Sequence, residues 1–173
     1  MKYFAYGSNM SVARLQERVP GAIPKGLFTL KGHSLKFHKV SNDGSGKCDC
    51  QFTGNCKDDV FGALFEIQEE DEAKLDRFEG YVHGYDKKTV TVSNCKDESF
   101  KAIMYFATKT DPSLQPYSWY MHHVIYGATE IGVPDDYLEF LRSVKCIDDP
   151  NTKREKRELA IYGSDTVDPI ENL

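Results

Sequence analysis

The stretch that most constrains the fold is MKYFAYGSNM at residues 1–10. Residues 2–6 read as a strand in which Tyr3, Phe4, Ala5 and Tyr6 are all apolar or aromatic. A strand with no polar face is buried on both sides, so it belongs at the centre of a sheet or barrel. It stops at Gly7-Ser8-Asn9, and a helical period follows at Val12, Leu15 and Val19. Glycine lets the chain turn tightly and lets backbone come close to a ligand. Asn9 or Ser11 can cap the helix, and Pro20-Gly21 ends it. Amides at a helix start favour a carboxylate or an oxyanion. The turn therefore reads as a holder for a small anionic group.

The rest of the chain must build around that strand. Further strands are expected over 27–30 and 34–40, either side of Lys31-Gly32-His33, and over 60–67, 87–93 and 100–108. In VFGALFEI, Gly62 marks a bulge or a close backbone approach. The polar link 94–99 joins the last two strands into a hairpin, with Glu98 as a solvated turn residue. Helices are expected over 68–78, 118–131 and 134–146, the last two broken at Gly132. In QEEDEAKLDRF the acids come first and Lys74 and Arg77 late, as the helix dipole favours. The segment SNDGSGK at 41–47 reads as a flexible, solvated connection. It is no phosphate loop, because G-x-x-x-x-G-K-[ST] fails at Ser41 and again at Cys48. From Asp148 the chain is polar, and KREKRE reads as a solvated helix face that Leu159, Ile161 and Tyr162 can dock. Residues 1–146 are expected to form one domain, with 147–173 a polar tail packed on it. Strands and helices do not alternate regularly, which favours α+β over a doubly wound sheet and admits a closed barrel.

Composition narrows the function. With 173 residues, 40% hydrophobic and 28% charged, the chain can bury a core and is not of disordered composition. A net charge of −5 argues against a nucleic-acid or anionic-membrane binder. No run is long enough to cross a bilayer as a helix, and the opening does not read as a secretory leader, so a cytoplasmic protein is expected. Five cysteines make a poor disulfide framework. Cys48, Cys50 and Cys56 lack the C-x2-C spacing of zinc sites, so free thiols and no metal are expected.

Among possible catalytic groups, Ser8 lacks the second glycine of a nucleophile elbow. His122 and His123 are adjacent on a helix and cannot share a face. His33 and His38 lie in a predicted hairpin and read as surface or core histidines. Glu79 is different. It stands at the end of a helix, between Phe78 and Gly80, where the negative end of the dipole raises a carboxyl's pKa. A general base working near neutral pH needs that tuning. The plainer reading, which these features alone favour, is an exposed helix-end glutamate.

Three stretches in order, YFAYGSNM, LDRFEG and GATEIGVPDDY, resemble the γ-glutamylcyclotransferase family over about residues 2–142. The resemblance implies a mixed β-barrel with flanking helices. It implies conversion of the γ-glutamyl group of a γ-glutamyl amino acid or amine to 5-oxoproline, releasing the free amine, without a cofactor. Glu79 falls on the family's catalytic glutamate. Tyr3, Phe4, Ala5, Tyr6, Gly7 and Ser8, with neighbouring Asn9, fall on the loop that binds the γ-glutamyl part, largely through backbone amides. Tyr105 and Tyr120 fall on further pocket tyrosines. The implied partner is a small γ-glutamyl compound, with no nucleic acid or membrane; a homodimer is left open. The alternative is a non-catalytic γ-glutamyl-binding or regulatory protein on the same fold. Two stretches depart from the family pattern: Cys48-Asp49-Cys50-Gln51 at the pocket wall, and FEGYVHGY on the side that receives the leaving amine. The resemblance therefore does not fix the leaving group.

Overall fold

The computed structural model describes residues 1–163. Seven strands and five α-helices occur in that span. The central strand β1 (Lys2–Ala5) is buried on both faces, with Tyr3, Phe4 and Ala5 at most 4% exposed. It pairs antiparallel with β5 (Asp59–Glu66) and parallel with β7 (Ser99–Ala107). The other barrel strands are β2 (Ile23–Lys31) and β6 (Tyr85–Ser93). The order β1-β5-β2-β6-β7 closes on itself, so this is a five-stranded mixed barrel with one parallel seam. The architecture is α+β, a closed barrel with flanking helices, as the sequence led us to expect. No helix in the described residues is long and apolar enough to cross a membrane.

Two expectations fail at the segment between β2 and β5. The strands either side of Gly32 do not pair with each other. β3 (His33–Val40) leaves the barrel and pairs instead with β4 (Gly46–Phe52), as a separate two-stranded sheet. The stretch 41–47 is a solvated connection only in part, with Asn42 and Gly44 exposed. Ser45 and Gly46 are buried, and Gly46 and Lys47 already belong to β4. Polarity misled here because its polar groups find partners inside the protein. The Asp43 carboxylate accepts from the Ser45 amide and hydroxyl and pairs with Lys47 at 3.0 Å. The Gly46 amide donates to the Gln115 carbonyl at 2.9 Å.

Helices then fix the end of β1. The turn Ser8–Met10 leads into α1 (Val12–Arg18), which Ser11 caps by accepting from the Arg14 amide. The long helix α3 (Ser118–Ile131) packs on that turn through Gly127, where a Cβ would overlap the backbone of Met10 and Ser11. Only glycine allows the helix this close. Helix α2 (Glu72–Glu79) ends at Gly80, whose left-handed conformation satisfies the last carbonyls of the helix. α4 (Asp135–Arg142) is shorter than the sequence suggested and stops before Cys146.

The polar tail forms α5 (Thr152–Leu159), capped by Asn151. Its docking comes from buried polar contacts as well as apolar ones. Asp149, 3% exposed, accepts from the Trp119 indole at 2.7 Å and from two Arg154 nitrogens. Tyr162 stacks on Tyr126 with ring centroids 4.2 Å apart. The expected tail continues past the described residues.

Candidate active site

A cavity of about 150 Å³ opens where β1, the Gly7 turn, α1, the end of α2 and the β3–β4 sheet meet. Its lining of hydroxyls, an amide, a carboxylate and cations suits a small polar ligand. Of the residues expected at the site, Tyr3, Tyr6, Gly7, Ser8, Asn9, Glu79, Tyr105 and Tyr120 all line it. The side chains of Phe4 and Ala5 do not. They lie in the core, with Phe4 against Gly62, where a Cβ would meet its ring at 2.7 Å.

Glu79 is half-buried and held on one side only. Its Oε1 accepts from the Tyr3 hydroxyl at 2.9 Å and from Asn9 Nδ2 at 2.5 Å. Asn9 is oriented in turn by Arg18, which donates to Asn9 Oδ1 at 2.9 Å. That donation makes Oδ1 the acceptor and so commits Nδ2 to Glu79. Oε2 accepts no hydrogen bond among the described residues. Burial raises the Glu79 pKa, while the charge of Arg18, the Tyr3 hydroxyl, Lys39 and Arg14 oppose the rise. Burial, followed by the Glu79 charge, pushes the Tyr3 phenol well above its ordinary range, so it stays a donor. Beyond Glu79 the chain passes through positive φ at Gly80, Val82 and Gly84, at 67°, 61° and 159°. Val82, β-branched, is strained there.

The tyrosines line the rest of the cavity. Tyr6 donates to the Tyr105 carbonyl at 2.6 Å. Tyr105 donates to Asp76 on α2 at 2.5 Å, and Lys87 anchors Asp76 at 2.9 Å. The Tyr3 and Tyr105 rings meet edge to face at 5.9 Å. The Tyr120 hydroxyl accepts from the Cys48 amide at 3.0 Å, and the Tyr85 hydroxyl donates to the Cys48 carbonyl at 2.7 Å. This clamp sets Cys48 against Gly7, where a Cβ would come within 3.0 Å of Cys48 Cβ and 3.2 Å of the Tyr120 hydroxyl. No side chain caps the turn at Gly7. Burial pushes the Cys48 thiol up to about 12, so it is protonated and no nucleophile at neutral pH.

Sequence reasoning missed the cations. Arg14, Arg18, Lys39 and Lys47 line the cavity beside Cys48, Phe78, Tyr85 and Trp119. The signal for two of them was present: Arg14 and Arg18 stand four apart on the helix after the Gly7 turn and share a face. Lys39 lies at a bulge of β3, where simple alternation breaks down. Lys47 was hidden in the segment read as solvated. It lies over the Trp119 and Tyr120 rings at 4.4 and 4.5 Å. Among the described residues, no three His, Cys, Asp or Glu side chains are grouped to hold a metal ion.

Comparison with known proteins bears on the fold. Residues 59–141 match the AIG2-like family. No curated protein matches the chain in sequence. Among solved structures, the uncharacterised human protein loc79017 is 27% identical, with a TM-score of 0.78 over 85% of this chain and 89% of its own. A protein described as gamma-glutamyl cyclotransferase is 24% identical, with a TM-score of 0.81 over 91% and 98%. A yeast gamma-glutamyl cyclotransferase specific to glutathione is 10% identical, with a TM-score of 0.60 over 82% and 93%. The chain has the AIG2-like, γ-glutamylcyclotransferase-type fold.

Proposed function

We propose that the protein is a γ-glutamylcyclotransferase, which cyclises the γ-glutamyl group of a γ-glutamyl amino acid or amine to 5-oxoproline. The observation that carries this reading is Glu79: one carboxylate oxygen saturated by Tyr3 and Asn9, the other open, in a small cavity floored by Gly7 and Ser8. A binder needs no such base. The likeness to solved cyclotransferases adds support at the level of fold.

The reaction needs the substrate's own α-amine to attack its γ-carbonyl carbon. At neutral pH that amine is mostly an ammonium. Glu79 Oε2 accepts the ammonium and takes one proton, for which a raised pKa is an advantage. The freed nitrogen bonds to the γ-carbon, closing a five-membered ring and putting negative charge on the carbonyl oxygen. Amides of the Gly7–Ser8 turn hold that oxygen or the α-carboxylate. Glu79 then returns its proton to the amide nitrogen of the departing group and takes the second proton from the ring nitrogen, which the departing amine carries away as an ammonium. The C–N bond breaks, leaving 5-oxoproline and a free amine, with no water consumed. The aromatic walls fold the γ-glutamyl chain so that amine and carbonyl meet, and such positioning supplies much of the rate.

The test is incubation of the purified protein with a panel of γ-glutamyl amino acids and amines, followed by detection of 5-oxoproline. Release of 5-oxoproline and free amine in equal amounts is expected. Binding of these compounds without turnover would favour the alternative of a non-catalytic γ-glutamyl receptor.

A further inference from the structure

The cavity carries more positive charge than a γ-glutamyl group uses, and this inference rests on that group being the ligand. Four cationic side chains reach the cavity against the carboxylate of Glu79. Two are already matched: Arg14 pairs with Glu158 at 2.8 Å and Lys47 with Asp43 at 3.0 Å. Arg18 and Lys39 have no carboxylate within ion-pair distance among the described residues.

A γ-glutamyl group brings one ammonium and one α-carboxylate. Glu79 matches the ammonium. The α-carboxylate is bonded to the same carbon as the amine, so it stays on the wall of Glu79. Arg18 stands on that wall, linked to Glu79 through Asn9. Lys39 is then left without an anion.

Lys39 reaches the cavity from a different element, β3. Its Nζ lies 4.5 Å from the centre of the Tyr85 ring. Its end runs against Gly84, where an added Cβ would come within 3.1 Å of both Cε and Nζ. Gly84 and Tyr85 close the FEGYVHGY segment, the stretch that the sequence resemblance associates with the leaving amine. Burial lowers the Lys39 pKa, and only more distant charges, Glu79 and Asp43, oppose that. A part-buried ammonium facing a cavity with no anion beside it is costly, and a ligand charge would complete the pair.

We infer that Lys39 is a specificity-determining residue that pairs with a carboxylate on the departing amine. The site then selects γ-glutamyl amino acids over γ-glutamyl amines that lack a carboxylate. γ-Glutamyl-alanine and γ-glutamyl-alaninamide test this, since they match in size and differ in that charge. Wild type should release 5-oxoproline from the acid with a kcat/KM roughly ten- to hundredfold higher, the range for a hydrogen bond between charged groups. In Lys39→Gln the preference should fall to near parity through a rise in KM for the acid. Lys39→Arg should keep it, and thermal melts of both variants report on folding. Equal wild-type rates on the two substrates overturn the inference. So does a Lys39→Gln variant that slows both equally, because Lys39 would then serve the α-carboxylate. Absence of 5-oxoproline from either substrate in wild type is a separate result, and overturns the parent reading.

Discussion

The chemistry at Glu79 depends on an asymmetry between two oxygens. Tyr3 and Asn9 occupy Oε1, while Oε2, left without a donor among the described residues, is the oxygen that the proposed reaction uses for the substrate. Burial raises the carboxyl's pKa and the Arg18 charge is the first force against it. In the proposed reaction the acid limb of kcat/KM reports this group in the free enzyme, because a protonated Glu79 cannot accept the ammonium proton. That limb should therefore lie above the ordinary glutamate value of 4.5. Removing the opposing charge in Arg18→Gln should move it to higher pH, because the protonated form is then favoured further. A limb that stays in place or moves to lower pH contradicts the arrangement. Sequence singled out Glu79 by its place at the helix end. It could not show the relay through Asn9, which joins residues 9, 18 and 79 only once β1 and two helices are packed together.

At the scale of elements, the site is a junction. α3 fixes the Gly7 turn by packing on Met10 and Ser11 through Gly127. Asp76 and Lys87 tie α2 to Tyr105 and so aim the end of that helix. The tail segment supports Trp119, whose ring lines the cavity, through Asp149. Asp149→Asn removes a buried carboxylate that serves both Trp119 and Arg154. Weakening hydrogen bonds to a charged group costs about 1.5–3 kcal/mol, which for a chain of this length lowers Tm by roughly 3–12 °C. A thermal melt measures it, and an unshifted Tm would show that α5 docks independently of Asp149. The tail's helix was legible from KREKRE, and Tyr162 was a predicted anchor. Asp149 was not, since a lone acid in a polar run carries no mark of burial. The same blindness hid β4: the groups of SNDGSGK look solvated until Asp43, Lys47 and Gln115 are seen to satisfy one another and the backbone.

For the molecule as a whole, the barrel follows from β1. A strand buried on both faces needs neighbours on both edges, and here those are β5 and β7. The apolar runs of β1 and β5 were visible in the sequence. The closure of β7 on β1, and the departure of β3 from β2, were not, because strand order depends on contacts far apart in the chain. Closure brings Tyr105 from β7 beside Tyr3 from β1, and the β3–β4 sheet adds Lys39, Lys47 and Cys48 as a wall. On the proposed reading, this enclosure lets Glu79 take and return the protons of the cyclisation. The most direct measurement is 5-oxoproline release by Glu79→Gln, which keeps the side chain's shape and its contact with Tyr3. A loss of about 10²–10⁴-fold is expected, with a thermal melt close to wild type. A folded Glu79→Gln protein with wild-type turnover would contradict it.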